Sequence, residues 1–254
     1  MNFRTIAARF EDRKRSITAA EIRNVIELSL VCSADADVWT SHLSQFGLRP
    51  SVMNGKASLL ISVTNLIYSG IPFKEFVLSI SIRNPDSGSE YDSVFMLTAY
   101  NSNPFFAWSE KNIFSTPFRR GEIVFDTDKF SGAELFESGV PLMRLYHATE
   151  PSRLFRVPRS EGHEMWKGTV FFPDEAGSGT VPCKCFRATL TGWGRRIEFR
   201  PEKDSLMLNA WNGNTILGLM KESGIQGEEW FIRTNSFHRK SMTYRYARSS
   251  DGQL

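Results

Sequence analysis

Cysteine is scarce: Cys32, Cys183 and Cys185 are the only three in 254 residues. So few, and an odd number, cannot build a disulfide framework, and the count fits a reducing compartment. Cys183-Lys184-Cys185 would place both thiols on one face of a strand. A zinc site would need two further ligands, and His163 is the only histidine near them, so the pair reads as ordinary strand cysteines. Long apolar runs are also missing, with nothing near the roughly 18–20 residues needed to span a bilayer. The segment MNFRTIAARFEDRKRS has acidic residues and no continuous apolar stretch, so no secretory signal is expected. These absences predict a cytoplasmic protein with no membrane partner.

No single sign of charge dominates. There are 31 basic and 28 acidic residues, a net charge of +3. The basic residues fall in small clusters such as Arg13-Lys14-Arg15, Arg195-Arg196 and Arg239-Lys240, which read as solvated surface charge. Nucleic-acid binding wants a concentrated basic stripe, so no nucleic-acid partner is expected. Neither a G-x-G-x-x-G after a strand nor a Walker A sequence occurs, and no nucleotide cofactor is expected. His42, His147, His163 and His238 show no paired spacing, so neither a metal centre nor a Ser-His-Asp triad can be proposed. The expected cofactor list is empty.

What the chain has in quantity is aromatic and β-branched residues. It is 41% hydrophobic and 13% aromatic, with 20 Phe, enough for a sizeable core or an apolar ligand cavity. Ala57–Ser69, Phe76–Arg83 and Ser93–Tyr100 read as strands, the last two joined as a hairpin by a turn at Pro85–Ser89. Gly168–Phe172, Val181–Thr191, Arg196–Arg200, Leu206–Ala210 and Ser241–Ala247 are further strands. Helices are fewer. Asp35 would cap one with an apolar face through Val38, Leu43 and Phe46. Thr18–Leu28 is a second candidate, with capping-box spacing between Thr18 and Glu21 and with Ile22, Val25 and Ile26 on one face. Pro104–Phe114 and Thr215–Lys221 complete the set. The pattern implies a mainly β, α+β chain forming one domain over 1–254. Residues 1–30 would be an N-terminal extension and 130–162 an excursion or lid.

The segment from Tyr91 to Val124, YDSVFMLTAYNSNPFFAWSEKNIFSTPFRRGEIV, resembles the part of the acetoacetate decarboxylase family that ends in Pro-Lys-Lys. Other elements follow in the same order. Val31–Pro50 is similar to a strand and short helix of that family, and Glu75 stands where its Tyr-x-Glu strand carries glutamate. Asn101–Pro104 resembles Asp-Asn-x-Pro, Gly168-Thr169 a Gly-Thr strand start, and Ala188–Gly192 an Ala-Thr-x-x-Gly strand. Ala210–Thr215 resembles Ala-Trp-x-Gly-x-Thr. The resemblance implies an antiparallel β-barrel or cone with flanking strands, a few peripheral helices and an apolar interior cavity. It also implies self-association into a homo-oligomer.

In that family the first lysine of Pro-Lys-Lys forms the Schiff base, its pKa lowered by a neighbouring cation. Here Phe118 and Arg119 stand in the two lysine positions, followed by Arg120. The family's early arginine falls near Ser33 and its first glutamate near Leu60, leaving Glu75 as the match. A phenyl ring has no amine and a guanidinium stays protonated, so imine chemistry is not expected.

An inward Arg119 or Arg120 would bind a carboxylate or phosphate, or pair structurally with Glu75. Glu75 in an apolar pocket would act as a general acid or base, or else be ion-paired. Phe118 and Trp108, with Phe105, Phe106 and Phe114, would line a pocket or serve as helix core. Two functional readings follow, and a structural role stands behind them. One is an enzyme acting on a small oxo acid or enolisable carbonyl compound by acid–base chemistry, with Glu75 and Arg119 catalytic and Arg120, Phe118 and Trp108 binding substrate. The other is a non-catalytic ligand-binding member of the same fold.

Overall fold

The computed structural model describes residues 17–85, 92–148, 163–174, 183–209 and 215–246. Most are in strands, as the β-branched and aromatic runs require. The long strands are β1 (Thr18–Asp35), β3 (Lys56–Tyr68), β4 (Ile71–Ser81), β5 (Asp92–Asn101), β10 (His163–Pro173), β11 (Cys183–Glu198) and β13 (Gln226–Ser241). They pair in the order β1-β13-β11-β10-β5-β4-β3, and β3 pairs back onto β1, so the hydrogen bonding runs round a closed circuit. Three short strands extend it: β2 (Val52–Met53) on β3, β6 (Phe118–Arg120) on β5 and β14 (Tyr244–Arg245) on β11.

The pairings are antiparallel except at β5, which runs parallel to both β6 and β10. The β5–β6 joint follows from the helix Pro104–Asn112 between them, because a helical crossover returns the chain in the same direction. A second, antiparallel sheet of β7 (Glu122–Phe125), β8 (Gly132–Glu137), β9 (Val140–Tyr146) and β12 (Ser205–Leu208) lies outside the circuit. The main core forms between the two. Leu28, Leu30, Ile61, Phe76 and Leu78 from the circuit's outer face pack with Ile123, Leu135 and Met143 of the second sheet. Two helices complete that layer, Ala36–Ser44 with Trp39 and Leu43, and Thr215–Glu222 with Leu217 and Met220.

Several expectations are corrected. Thr18–Leu28 is strand, not helix, and lies in the circuit rather than in an extension before it. Asn24 has φ 56°, and the register with β13 slips between Ile22 and Val25. That bulge brings Ile22 and Val25 into one apolar cluster although they are three residues apart, which imitates helical spacing. Of the 130–162 lid, residues 132–146 form β8 and β9 of the second sheet, and 149–162 lie outside the described residues. The Asp35-capped helix buries Ala36, Trp39 and Leu43, with Val38 only partly covered. Most of the Pro85–Ser89 turn and of the Ala210–Thr215 motif falls outside the described residues, while β4 and β5 pair antiparallel as a hairpin would. Among the described residues, no helix is long and apolar enough to cross a membrane.

Candidate functional site

Glu75 lies on the face of β4 turned toward the middle of the circuit. Its register partners are Thr64 on β3 and Asn101 on β5. Direct cross-strand partners share a face, and Glu27 pairs with both Thr64 and Arg233, so Arg233, Glu27, Thr64, Glu75 and Asn101 form one inner row. Asn101 is fully buried and donates from Nδ2 to Glu75 Oε1 at 3.1 Å. Its own Oδ1 accepts the amide of Asn103, the residue that caps the helix Pro104–Asn112. The Asn-x-x-Pro start of that helix therefore also aims an amide at Glu75.

Burial, and then repulsion from the Glu110 carboxylate, push the Glu75 pKa up to about 7, against the opposing pull of Lys240 and the Asn101 hydrogen bond. Glu110 is one of the helix's buried residues, and Lys240 comes from the far end of β13. Lys240 Nζ is ion-paired to Glu110 Oε1. The other carboxylate oxygen accepts Thr116 Oγ1 at 2.8 Å. The ammonium also sits 4.7 Å from the Phe114 ring centroid and 5.7 Å from that of Phe186.

Phe118 is buried on the same inner side. It pairs with Ala99 and packs with Met96, Val170, Phe172, Phe186 and Ala188. Arg119 points the other way: its side chain is 56% exposed and its guanidinium lies 3.9 Å from Glu137. Arg120 shares the face of Phe118 and registers with Asn101, at the exposed end of β6. Trp108 is 55% exposed and stacks on Phe105. The structure thus gathers Glu75 and Phe118, leaves Arg120 at the rim, and sets Arg119 and Trp108 on the surface.

A second polar group adjoins the first. Arg233 Nη1 donates to Glu27 Oε2 at 2.7 Å, and Glu27 Oε1 accepts Ser29 at 2.7 Å and Ser62 at 3.2 Å. The Arg233 guanidinium lies 4.6 Å from the Phe231 ring centroid. His238 Nε2 is 3.9 Å from Glu27 Oε2. Burial, then the Arg233 charge, lower the His238 pKa to about 4 although Glu27 opposes them. The interior is accordingly half apolar and half polar, where the resemblance implied an apolar one.

Exposure on this inner face is uneven: Val31, Ser33, Leu60, Ser62, Glu75 and Val77 keep partial exposure, whereas Glu27, Ser29, Thr64, Asn101 and Arg233 are at most 8% exposed. A surface cleft of about 530 Å³ lies elsewhere, by Thr40, Leu48, Arg49 and Arg83, and none of the residues above lines it.

Glu110 and Arg233 were not singled out from the sequence, His238 was read there as an unpaired histidine, and Lys240, read as solvated surface charge, is instead largely covered and paired with Glu110. For the three on β13 the signal was the alternation of Phe231 and Arg233, then Ser236, His238 and Lys240, on one face of the strand. The register slip between Thr191 and Trp193 opposite, and Asn235 at φ 49°, break it in two.

No family model matches the chain and no curated protein matches it. Solved structures do. An acetoacetate decarboxylase-like enzyme from Sphingomonas wittichii RW1 aligns at 12% identity with a TM-score of 0.54, covering 89% of this chain and 92% of that one. Acetoacetate decarboxylase from Legionella pneumophila subsp. pneumophila str. Philadelphia 1 aligns at 13% identity and TM-score 0.55, over 89% and 87%. The enduracididine biosynthesis enzyme MppR, complexed with the condensation product of pyruvate and imidazole 4-carboxaldehyde, aligns at 12% identity and TM-score 0.54, over 91% and 90%. The likeness is one of fold: the chain has an acetoacetate decarboxylase-like architecture along most of its length.

Proposed function

We propose that this chain is an enzyme that moves a proton at the carbon next to the carbonyl of a small oxo acid or related enolisable compound. The circuit of strands is read as the barrel or cone of the acetoacetate decarboxylase-like fold, in a cytoplasmic homo-oligomer. The observation that carries the reading is Glu75, half-buried on the inner face with its pKa pushed up to about 7. A carboxyl group poised there exchanges a proton near neutral pH, where an ordinary glutamate is fully ionised and a weak base.

Ionised Glu75 takes the proton from the α-carbon, and the C–H electron pair moves into the carbonyl, leaving an enolate oxygen. The protonated Glu75 then returns a proton to carbon, which balances the cycle without any co-reactant. Lys240 has N–H groups to spare beyond its bond to Glu110 and is the cation suited to the substrate's carboxylate or the enolate oxygen. It takes the role the sequence suggested for Arg119. Arg120, at the rim, is placed to attract an anion rather than to hold it. Lys240 is paired with Glu110 and flanked by the Phe114 and Phe186 rings, and in this reading it holds an anion rather than forming an imine.

The test is proton exchange followed by NMR in D₂O with 2-oxobutyrate as probe. Wild type should exchange the C3 protons faster than buffer, and Glu75→Gln should slow this by roughly 10²–10⁴-fold. Exchange at the buffer rate sinks the proposal, and a borohydride-trapped adduct on Lys240 would replace it with imine chemistry. The pairs Lys240–Glu110 and Arg233–Glu27 already neutralise their own charges, which favours a second reading as a non-catalytic ligand-binding protein. That reading predicts that the oxo acid binds without exchange.

A further inference from the structure

Three buried polar atoms near Glu27 have no hydrogen-bond partner among the described residues: Arg233 Nε, His238 Nε2 and Thr64 Oγ1. Arg233 is 5% exposed and Thr64 8%. A buried donor without a partner costs about 1–3 kcal/mol, so three close together call for a ligand or ordered water. They belong to one neighbourhood. Arg233 and Thr64 both register with Glu27, on either side of it, and His238 Nε2 is 3.9 Å from the carboxylate that Arg233 binds. Glu27 holds one nitrogen of the guanidinium and leaves Nε over.

The backbone is shaped for this side chain. A Cβ on Gly192 would fall 2.8 Å from Arg233 Cγ and 2.9 Å from its Cδ. Glycine on β11 therefore leaves the room through which the arginine enters the interior. Among the described residues two carboxylates face the three groups: Glu27, already filled by Ser29, Ser62 and Arg233, and Glu75, the cross-strand partner of Thr64, which accepts Asn101.

We propose that Arg233, His238 and Thr64 form an anion subsite beside Glu75, and that the substrate is accordingly an oxo acid with a second carboxylate. This rests on the reading of Glu75 and Lys240 given above. His238 and Lys240 are alternate residues on the same face of β13, so their Cα atoms stand roughly 6.5–7 Å apart. Adjacent side chains on that face can thus be reached by the two ends of one short dicarboxylate. One carboxylate meets Lys240, the other meets the Arg233 group, and the carbonyl and its α-carbon lie between them, opposite Glu75. The guanidinium suits a carboxylate through its remaining N–H groups, Thr64 adds a hydroxyl donor, and His238 adds another in its Nε2–H tautomer.

Binding by calorimetry tests this with two probes of equal length, 2-oxoglutarate and 2-oxopentanoate, which differ in the terminal carboxylate. Wild type should bind 2-oxoglutarate tighter by about ten-fold or more, as expected for a ligand group that satisfies buried donors. Thr64→Val and His238→Gln, which spare the Arg233–Glu27 pair, should each pull that ratio toward one while leaving the melting temperature within a few degrees. Glu75→Gln should keep the ratio and lose only the exchange. Equal binding of the two probes by wild type, or no binding of 2-oxoglutarate, overturns the subsite even if exchange is observed. A preserved ratio with no exchange would instead leave the subsite standing and remove the catalytic reading.

Discussion

Lys240 on β13 is ion-paired to Glu110 on the helix Pro104–Asn112, 130 residues earlier in the chain. The pair sits close enough to Glu75 for both members to act on its proton, in opposite directions. It works as a setting device: the carboxylate raises the Glu75 pKa and the ammonium lowers it.

Removing one member should therefore move Glu75 in a direction fixed by which member goes. Lys240→Met leaves Glu110 unopposed and should raise the Glu75 pKa above about 7, whereas Glu110→Gln should lower it. Since proton removal needs ionised Glu75, the pH at which exchange rises should move up in the first variant and down in the second. The check is the pH profile of exchange for the three proteins, with midpoints compared. Midpoints that coincide, or that move together, would show that Glu75 is not the titrating base.

Stability should carry the same signature. Glu75 binds its proton more tightly when folded than when unfolded, where the ordinary value near 4.5 applies. Between those two values the folded state holds the proton and the unfolded state does not. Stability from this group is thus fully present below about 4.5 and is lost as pH rises to about 7, by up to roughly 3 kcal/mol. Glu75→Gln stays neutral throughout and should remove that slope. Urea unfolding at pH 5, 6, 7 and 8 measures it, and an unchanged slope in the variant refutes the assignment.

Arg119 should matter little to folding. Its side chain is 56% exposed and its contact with Glu137 is long, at 3.9 Å. Pairs of that kind contribute about 0–1 kcal/mol. Arg119→Ala should change the free energy of unfolding by less than about 0.5 kcal/mol and leave oxo-acid affinity as in wild type. A large loss of affinity would return the anion-binding role to that turn.

The contrast between Arg119 and Lys240 marks the limit of what was legible in the sequence. Runs such as Leu59–Val63 and Val94–Tyr100 read as strands because both faces carry apolar side chains or one face does so in strict alternation. The helices at Ala36 and Pro104 read from Asp35 and Pro104, whose effects are local. β13 did not read as a strand. Its inner face bears Arg233, Ser236, His238 and Lys240, and the irregularity at Asn235 shifts the phase midway. A polar interior inverts the pattern by which strands are recognised, so the residues that make the site distinctive also hid it. Glu75 was reachable through the family resemblance. The environment that sets its proton was not, because it depends on a lysine more than 160 positions away reaching the helix that Asn103 caps.

β13, which bears Arg233, His238 and Lys240, is tied to the second sheet by Asp204. Its carboxylate accepts the amides of Ala148 at 2.8 Å and Arg200 at 2.9 Å and the indole Nε1 of Trp230 at 3.1 Å, with His147 Nδ1 at 3.4 Å. Burial alone would raise the Asp204 pKa, yet these donors, led by the Ala148 and Arg200 amides, hold it below the usual carboxylate value. Removing the carboxylate strands several donors at once. Asp204→Ala should cost on the order of 3 kcal/mol or more, while Trp230→Phe removes one of those bonds and, because Trp230 is fully buried, also leaves a small cavity, and should cost about 2–3 kcal/mol. Denaturant midpoints measured at constant slope give both numbers. If the Asp204 knot is what fixes the strand, hydrogen exchange of the β13 amides should also quicken in Asp204→Ala more than that of the β3–β4 amides across the circuit. Uniform quickening in both places would make Asp204 a general stabiliser with no special hold on the strand that carries the site.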